Sequence, residues 1–192
     1  MNNYSNTTFC IHNGQIEEMN TFDIFDYRKY DHFYGVTYSA SRSFIIKYLF
    51  YYRLINLIVG IPRDYVQKEV QQTFEDINRY YKINNKKVAD INLQHDFLGA
   101  EMLVPPRGVI HSKIFLLSNE RLNNYRVVTG SANLSQAAFS NNKDQFEDIV
   151  VSDSKKDYDL YFKRYQALRD QSYGYMDQDT KRYLKRLGYF KT

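Results

Sequence analysis

Val109-Ile110-His111-Ser112-Lys113-Ile114-Phe115-Leu116-Leu117-Ser118 carries the reading of the whole chain. The run is strand-forming. In a period-two element His111 and Lys113 project to one face, while Ile110, Ile114 and Leu116 take the other. Gly130-Ser131-Ala132-Asn133-Leu134-Ser135 follows downstream, and then Glu147 ahead of Asp148-Ile149-Val150-Val151. In chain order these supply a nucleophile, a cation, neutral hydrogen-bond donors and a carboxylate. Each also has an ordinary reading. A lone strand histidine is usually structural, Lys113 a solvated residue, Gly130-Ser131 a turn, and Glu147 a solvent-facing charge. Asn133 reads as the cap of a helix over Leu134-Ser135-Gln136-Ala137-Ala138. Because a helix N-terminus is itself an anion site, capping and chemistry are compatible there. The ordered set, and no single member of it, points to chemistry.

The set resembles the phospholipase D superfamily, whose core motif is His-x-Lys followed by Gly-Ser or Gly-x-Asn and an acidic residue. The resemblance covers roughly residues 30 to 170. It implies a phospholipase D-like fold and in-line displacement at a phosphodiester, which needs a nucleophile, a proton donor for the leaving oxygen and donors around the equatorial oxygens. His111 is then the nucleophile, and a protonated histidine is a competent general acid. Lys113 neutralises the non-bridging oxygens, the work of a divalent metal in many other nucleases, so no metal and no cofactor is expected. Asn133 and Ser131 add neutral donors, Gly130 and Ser135 belong to the same phosphate-binding turn, and Glu147 can hold the imidazole by its second nitrogen.

The chain departs from the family pattern in two places. The fuller motif has an aspartate five residues after the lysine, where this chain has Ser118, followed by Asn119 and Glu120. That loss points away from the lipases and towards the metal-independent bacterial nucleases and restriction endonucleases. Secondly, one His-x-Lys set occurs per chain: His12, His32 and His95 lack a lysine two residues on. If one histidine attacks and another protonates the leaving group, a single-motif chain borrows the second from a copy of itself. The resemblance accordingly implies a homodimer with one composite site.

Composition agrees with a globular domain. The 192 residues are 43% hydrophobic, and 26 Lys and Arg against 22 Asp and Glu give a net charge of +4. That balance permits a polyanionic partner without establishing one. Cys10 is the single cysteine, which excludes an intrachain disulfide and a Cys-rich zinc site and fits a reducing compartment. The polar N-terminus lacks a signal pattern, and the apolar stretch Phe44 to Ile61 is interrupted by Lys47, Arg53 and Asn56, so a cytoplasmic protein without a membrane span is expected. Tyr (19) and Phe (13) are abundant. Such rings can stack bases, although the parallel richness in Asn, Lys and Ile is equally a mark of an AT-rich genome.

The expected fold class is α/β, a mixed β-sheet flanked by helices. Strands are read at Phe33 to Tyr38, Leu54 to Gly60, Ala100 to Val104, Tyr125 to Thr129 and Asp148 to Val151. Helices are read at Ser41 to Tyr52, from Pro62 along the stripe Val66, Val70, Phe74, Ile77 and Tyr81, and over Lys155 to Asp170 with Tyr158, Tyr161, Tyr165 and Leu168 inward. Asn84 to Lys87 reads as a connection, Pro105-Pro106-Arg107-Gly108 as a turn, and Phe139 to Phe146 as a loop that is either a plain connection or a border of the substrate channel.

Three segments are expected: an N-terminal extension (1–30), a nuclease domain (30–170) and a basic helical tail (171–192), a candidate junction to a further domain. Lys181, Arg182, Lys185, Arg186 and Lys191 in that tail suit a solvated face or a phosphate backbone. The partners expected are DNA ahead of RNA, a second copy of the chain, and a regulatory, helicase or recognition domain or subunit. Function narrows to a metal-independent endonuclease in restriction or phage defence, against a lipid phosphodiesterase or phosphatidyltransferase and a non-catalytic nucleic-acid-binding domain.

Overall fold

Three apolar runs form the centre of the sheet: β3 (His32–Thr37), β4 (Leu54–Val59) and β6 (Ile114–Asn119). All six residues of β6 are buried, as are five of six in β4. Strands covered on both faces lose the alternating pattern and read as continuous hydrophobic stretches. In the computed structural model the described residues are 7–60, 64–84, 97–105, 110–139 and 147–174. The remaining strands are β1 (Thr7–His12), β2 (Gln15–Asn20), β5 (Gly99–Val104), β7 (Asn124–Gly130), β8 (Ile149–Ser152) and β9 (Tyr173–Gly174). They assemble in the order β2-β1-β8-β7-β6-β3-β4-β5-β9. The pairs β3–β4, β4–β5 and β1–β8 are parallel and the others antiparallel, so the sheet is mixed.

One face is covered by α1 (Thr21–Ile24), α2 (Arg42–Phe44) and α3 (Asp64–Asn84), the other by α4 (Lys155–Arg169). The helix expected from Ser41 starts there, Ser41 Oγ accepting from Phe44 N–H at 3.3 Å, but after one α turn it widens into a π-helix over Ile45–Leu49. In α3 the expected stripe buries Val70, Phe74 and Ile77, with Tyr81 half-buried. Asn78, outside that stripe, pins the helix to the sheet by donating to Ala100 O (2.8 Å) and accepting from Ala100 N–H (2.9 Å). In α4, Tyr158 and Tyr165 are buried and Tyr161 and Leu168 pack beside them, as the spacing requires. The aromatic richness serves the core: the Phe25 ring lies within 6.5 Å of those of Phe33, Phe44, Tyr48, Phe115 and Phe139. Pro62, Asn85 to Lys87, His95, Pro106 to Gly108, the loop from Ser140 to Phe146 and the basic tail lie outside the described residues.

Residues from Thr7 onward share this sheet. Asn13 (φ 48°) and Gly14 (φ 85°) make a two-residue turn between β1 and β2, and β1 adds itself to β8. An Asn-Gly pair between alternating apolar residues is the sequence signal of such a hairpin. In this part of the sheet Phe9, Ile11, Ile16 and Val150 are exposed.

A buried charge network fastens the hairpin to the body. Arg126, 4% exposed, reaches Asp153 through Nε (2.6 Å) and Nη2 (2.9 Å) and donates from Nη1 to Asp23 O (2.7 Å). His12 joins it, Nε2 lying 2.9 Å from Asp153 and Nδ1 3.1 Å from Glu17. Burial alone would raise the Asp153 carboxyl, but hydrogen bonds from Arg126 and His12 override it and hold the pKa down at about 2. Burial would lower His12, yet its bonds to Asp153 and Glu17 leave it raised above 6.5. The carboxylate therefore contributes stability that is present above its ordinary 3.8 and lost as pH falls through about 2. The imidazolium contributes below 6.5 and loses its share as pH rises through its folded value. Asp153→Asn should cost about 3 kcal/mol, because Arg126 is left buried without its counter-charge, and should flatten the loss of stability on acidification below about pH 4. Urea unfolding of both proteins across pH 2 to 8 measures this.

Candidate active site

All the motif residues meet at one end of the sheet. Because β6 is antiparallel to β3 and to β7, the start of β6 lies beside the ends of both: Ile114 pairs with Val36 and with Thr129. The start of β8 joins them through the Gly130–Ile149 pair. The His-x-Lys pair was expected within a strand, but the ladder begins at Ile114, and His111 and Lys113 precede it. Continuing both registers by one residue sets Lys113 between Thr37 and Gly130.

Two close approaches shape this end of the sheet. A methyl group on Gly60, just past β4, would lie 2.7 Å from Ile110 Cβ and 2.8 Å from Ile110 N and O, so only glycine lets the chain pass there on its way to His111. At Gly130 φ is +145°, and a methyl group would collide with Asp148 O.

His111 is exposed, and its ring stacks on Tyr38 with centroids 5.0 Å apart and planes 10° from parallel. Lys113 Nζ donates to His111 O at 2.7 Å and lies 5.9 Å from the same tyrosine ring. Asn133 does not cap a helix, since residues 136–139 form a turn instead. Its Oδ1 faces the corner after β3, accepting from Ser39 N–H at 3.3 Å and lying 3.4 Å from Thr37 Oγ1. With the oxygen so engaged, the Asn133 amide presents its N–H donors as the part left for an anion. Ser131 Oγ donates to Glu147 Oε2 and accepts from Asp148 N–H at 2.9 Å. Ser135 Oγ accepts from Ala138 N–H at 3.2 Å and shapes the turn, which Phe139 anchors in the aromatic core.

Ser118 stands apart from this group. Five residues is an odd number, so it faces the opposite side of the sheet from Lys113, about 16 Å along the strand. There it is buried and accepts from Tyr158 Oη at 3.1 Å. Thr37, Tyr38, Ser39 and Gly60 are the contributors that motif reading missed. Their signal was faint: a Thr-Tyr-Ser corner ending an apolar strand, and a glycine ending another. Among the described residues no group of three His, Cys, Asp or Glu side chains gathers as a metal site, and no helix is long and apolar enough to cross a membrane.

A histidine, a lysine, a carboxamide and a hydroxyl–carboxylate pair thus stand together at the ends of sheet strands. The family model for the NgoFVII restriction endonuclease N-terminal PLD domain matches residues 45–181, and the chain belongs to that family. That membership supports a nuclease role in restriction. No curated protein matches the chain. The matched span holds every motif residue but begins after the Thr37–Ser39 corner.

Gly130→Ala should lower stability by at least about 2 kcal/mol, since both its φ and the close approach of Asp148 O exclude a side chain. Ser131→Ala, adjacent in sequence but exposed, should stay within about 0.5 kcal/mol of wild type. Denaturant midpoints of the two variants separate these outcomes.

Proposed function

We propose that this chain is a metal-independent endonuclease of a restriction or phage-defence system, cleaving DNA through a phosphohistidine intermediate in a site shared by two copies. The observation that carries the reading is the assembly of His111, Lys113 and Asn133 around one corner of the sheet, within a family of restriction endonuclease domains. In the first step an imidazole nitrogen of His111 attacks phosphorus, the N–P bond forms as the P–O bond to the leaving strand breaks, and the partner subunit's His111 gives its proton to the departing oxygen. In the second, water attacks phosphorus, its proton passes to that same histidine, and the N–P bond breaks. Lys113 and the Asn133 amide hold the non-bridging oxygens, so that no bound cation is needed. Glu147, bound by Ser131, is the carboxylate that steers the imidazole in this reading.

One copy has half of this machinery, and the exposed Phe9, Ile11, Ile16 and Val150, in the same depression as Glu147 and Asp148, offer a second copy an apolar surface beside it. A free nuclease endangers the DNA of its host, so a recognition or regulatory domain or subunit is part of the proposal.

With purified protein and plasmid DNA, cleavage should survive excess EDTA. Its abolition by chelation and restoration by magnesium would overturn the mechanism. His111→Ala should reduce the rate at least about 10³-fold and Lys113→Ala about 10²-fold, whereas Ser118→Ala, remote on the other face, should remain within about twofold. Mixed dimers of wild type and His111→Ala should be nearly inactive. Independent sites would leave them about half active.

A further inference from the structure

We propose that Tyr38 is a positioning residue for the attacking group: its ring is the platform that orients the His111 imidazole and holds Lys113 beside it. The proposal rests on the nuclease reading and adds to it a residue outside both the His-x-Lys motif and the matched family span.

The geometry makes three independent points. His111 is exposed and precedes the strand, so neither core packing nor a sheet ladder restrains its side chain. A parallel ring 5.0 Å away restrains both of its torsions at once. The same tyrosine ring has its centroid 5.9 Å from Lys113 Nζ, and the ammonium in turn donates to His111 O. One ring therefore lies within 6 Å of both the nucleophile's ring and the cation, and its π system suits the ammonium as well as the imidazolium that forms during the reaction. Finally, the platform is itself fixed. Thr37 is fully buried with Oγ1 donating to Ser39 O at 2.8 Å, Gly60 N–H donates to Thr37 O at 2.9 Å, and Ser39 N–H and O bind Asn133 Oδ1 and Leu134 N–H. Tyr38, between them, is partly buried against the main core.

A nucleophile must lie in line with the bond it breaks, and displacement by about 1 Å can cost a factor of about 100 in rate. An unrestrained imidazole samples several rotamers, and Tyr38 selects one of them. The Thr37–Ser39 corner thus serves three site residues, Tyr38 for His111 and Lys113, and its neighbours for Asn133.

The test compares Tyr38→Phe, Tyr38→Leu and Tyr38→Met, the last keeping bulk in case the leucine variant folds poorly. Histidine ring proton resonances, assigned with His111→Ala, are recorded first. The Tyr38 ring current should shift the His111 signals upfield in wild type and in Tyr38→Phe, and the shift should vanish in the aliphatic variants. Steady-state cleavage of a short DNA duplex should then show kcat reduced about tenfold or more in the aliphatic variants, KM within about twofold, and Tyr38→Phe close to wild type. Wild-type kcat in a folded aliphatic variant would overturn the proposal. So would a loss confined to KM, which would assign the ring to the substrate. If wild type cleaves no phosphodiester, the nuclease reading fails. The resonance shifts still decide whether Tyr38 orders His111, and their absence overturns the proposal on its own.

Discussion

The register between β3 and β6 is the constraint on which the site depends. Both strands are buried on both faces, and a one-residue slip would exchange every side chain between the two cores. With Val36 opposite Ile114, the chain leaving β3 turns at Thr37–Ser39 beside the chain arriving at Lys113. Tyr38 meets the His111 ring, and Ser39 meets Asn133 from the next connection along the sheet. Three segments far apart in sequence are brought together by this pairing and that of β6 with β7, and the residues that fix the first, Phe33, Val36, Phe115 and Leu116, are buried in the two cores.

The surroundings divide between rigidity and access. Phe139 anchors the turn after Asn133 in the Phe25 cluster, and Thr21 Oγ1 donates to Phe139 O at 2.6 Å, which ties the turn to α1. Arg126 performs a similar service on β7, joining the first hairpin and the strand that follows Glu147 through Asp153. The candidate site groups themselves are more open. His111 and Ser131 are exposed, and Asn133, Lys113 and Glu147 half-buried, on a scaffold that holds them still.

The position of Ser118 shows how the same strand serves both purposes. Lys113 and Ser118 lie at opposite ends and on opposite faces of the run, and the Ser118 hydroxyl is taken up by Tyr158 of α4. Ser118 thus belongs to the packing between sheet and helix, and not to the groups around His111.

Much of this was legible in the residues. The buried strands announced themselves as continuous apolar runs, α4 by its tyrosine spacing, and the candidate site by the order of His111, Lys113, Asn133 and Glu147, because these signals are local: periodicity follows from backbone geometry, and a motif keeps its residues near in sequence. The Asn13-Gly14 hairpin was equally local, though it was read as part of an extension, because nothing in residues 7–20 announces that β1 will pair with β8. Other features had no local signal. The role of Asn133 depended on whether its oxygen would find a helix N–H just downstream or Ser39 N–H ninety-four residues back, and the strand order settled that in favour of Ser39. The stacking of Tyr38 on His111, the passage of Ile110 over Gly60 and the burial of Arg126 against Asp153 likewise arise only when distant strands are set about 5 Å apart. Sequence carries the identity of each group and the period of each element. Which groups touch is a property of the packed sheet, where burial and register choose among partners that the chain alone leaves equivalent.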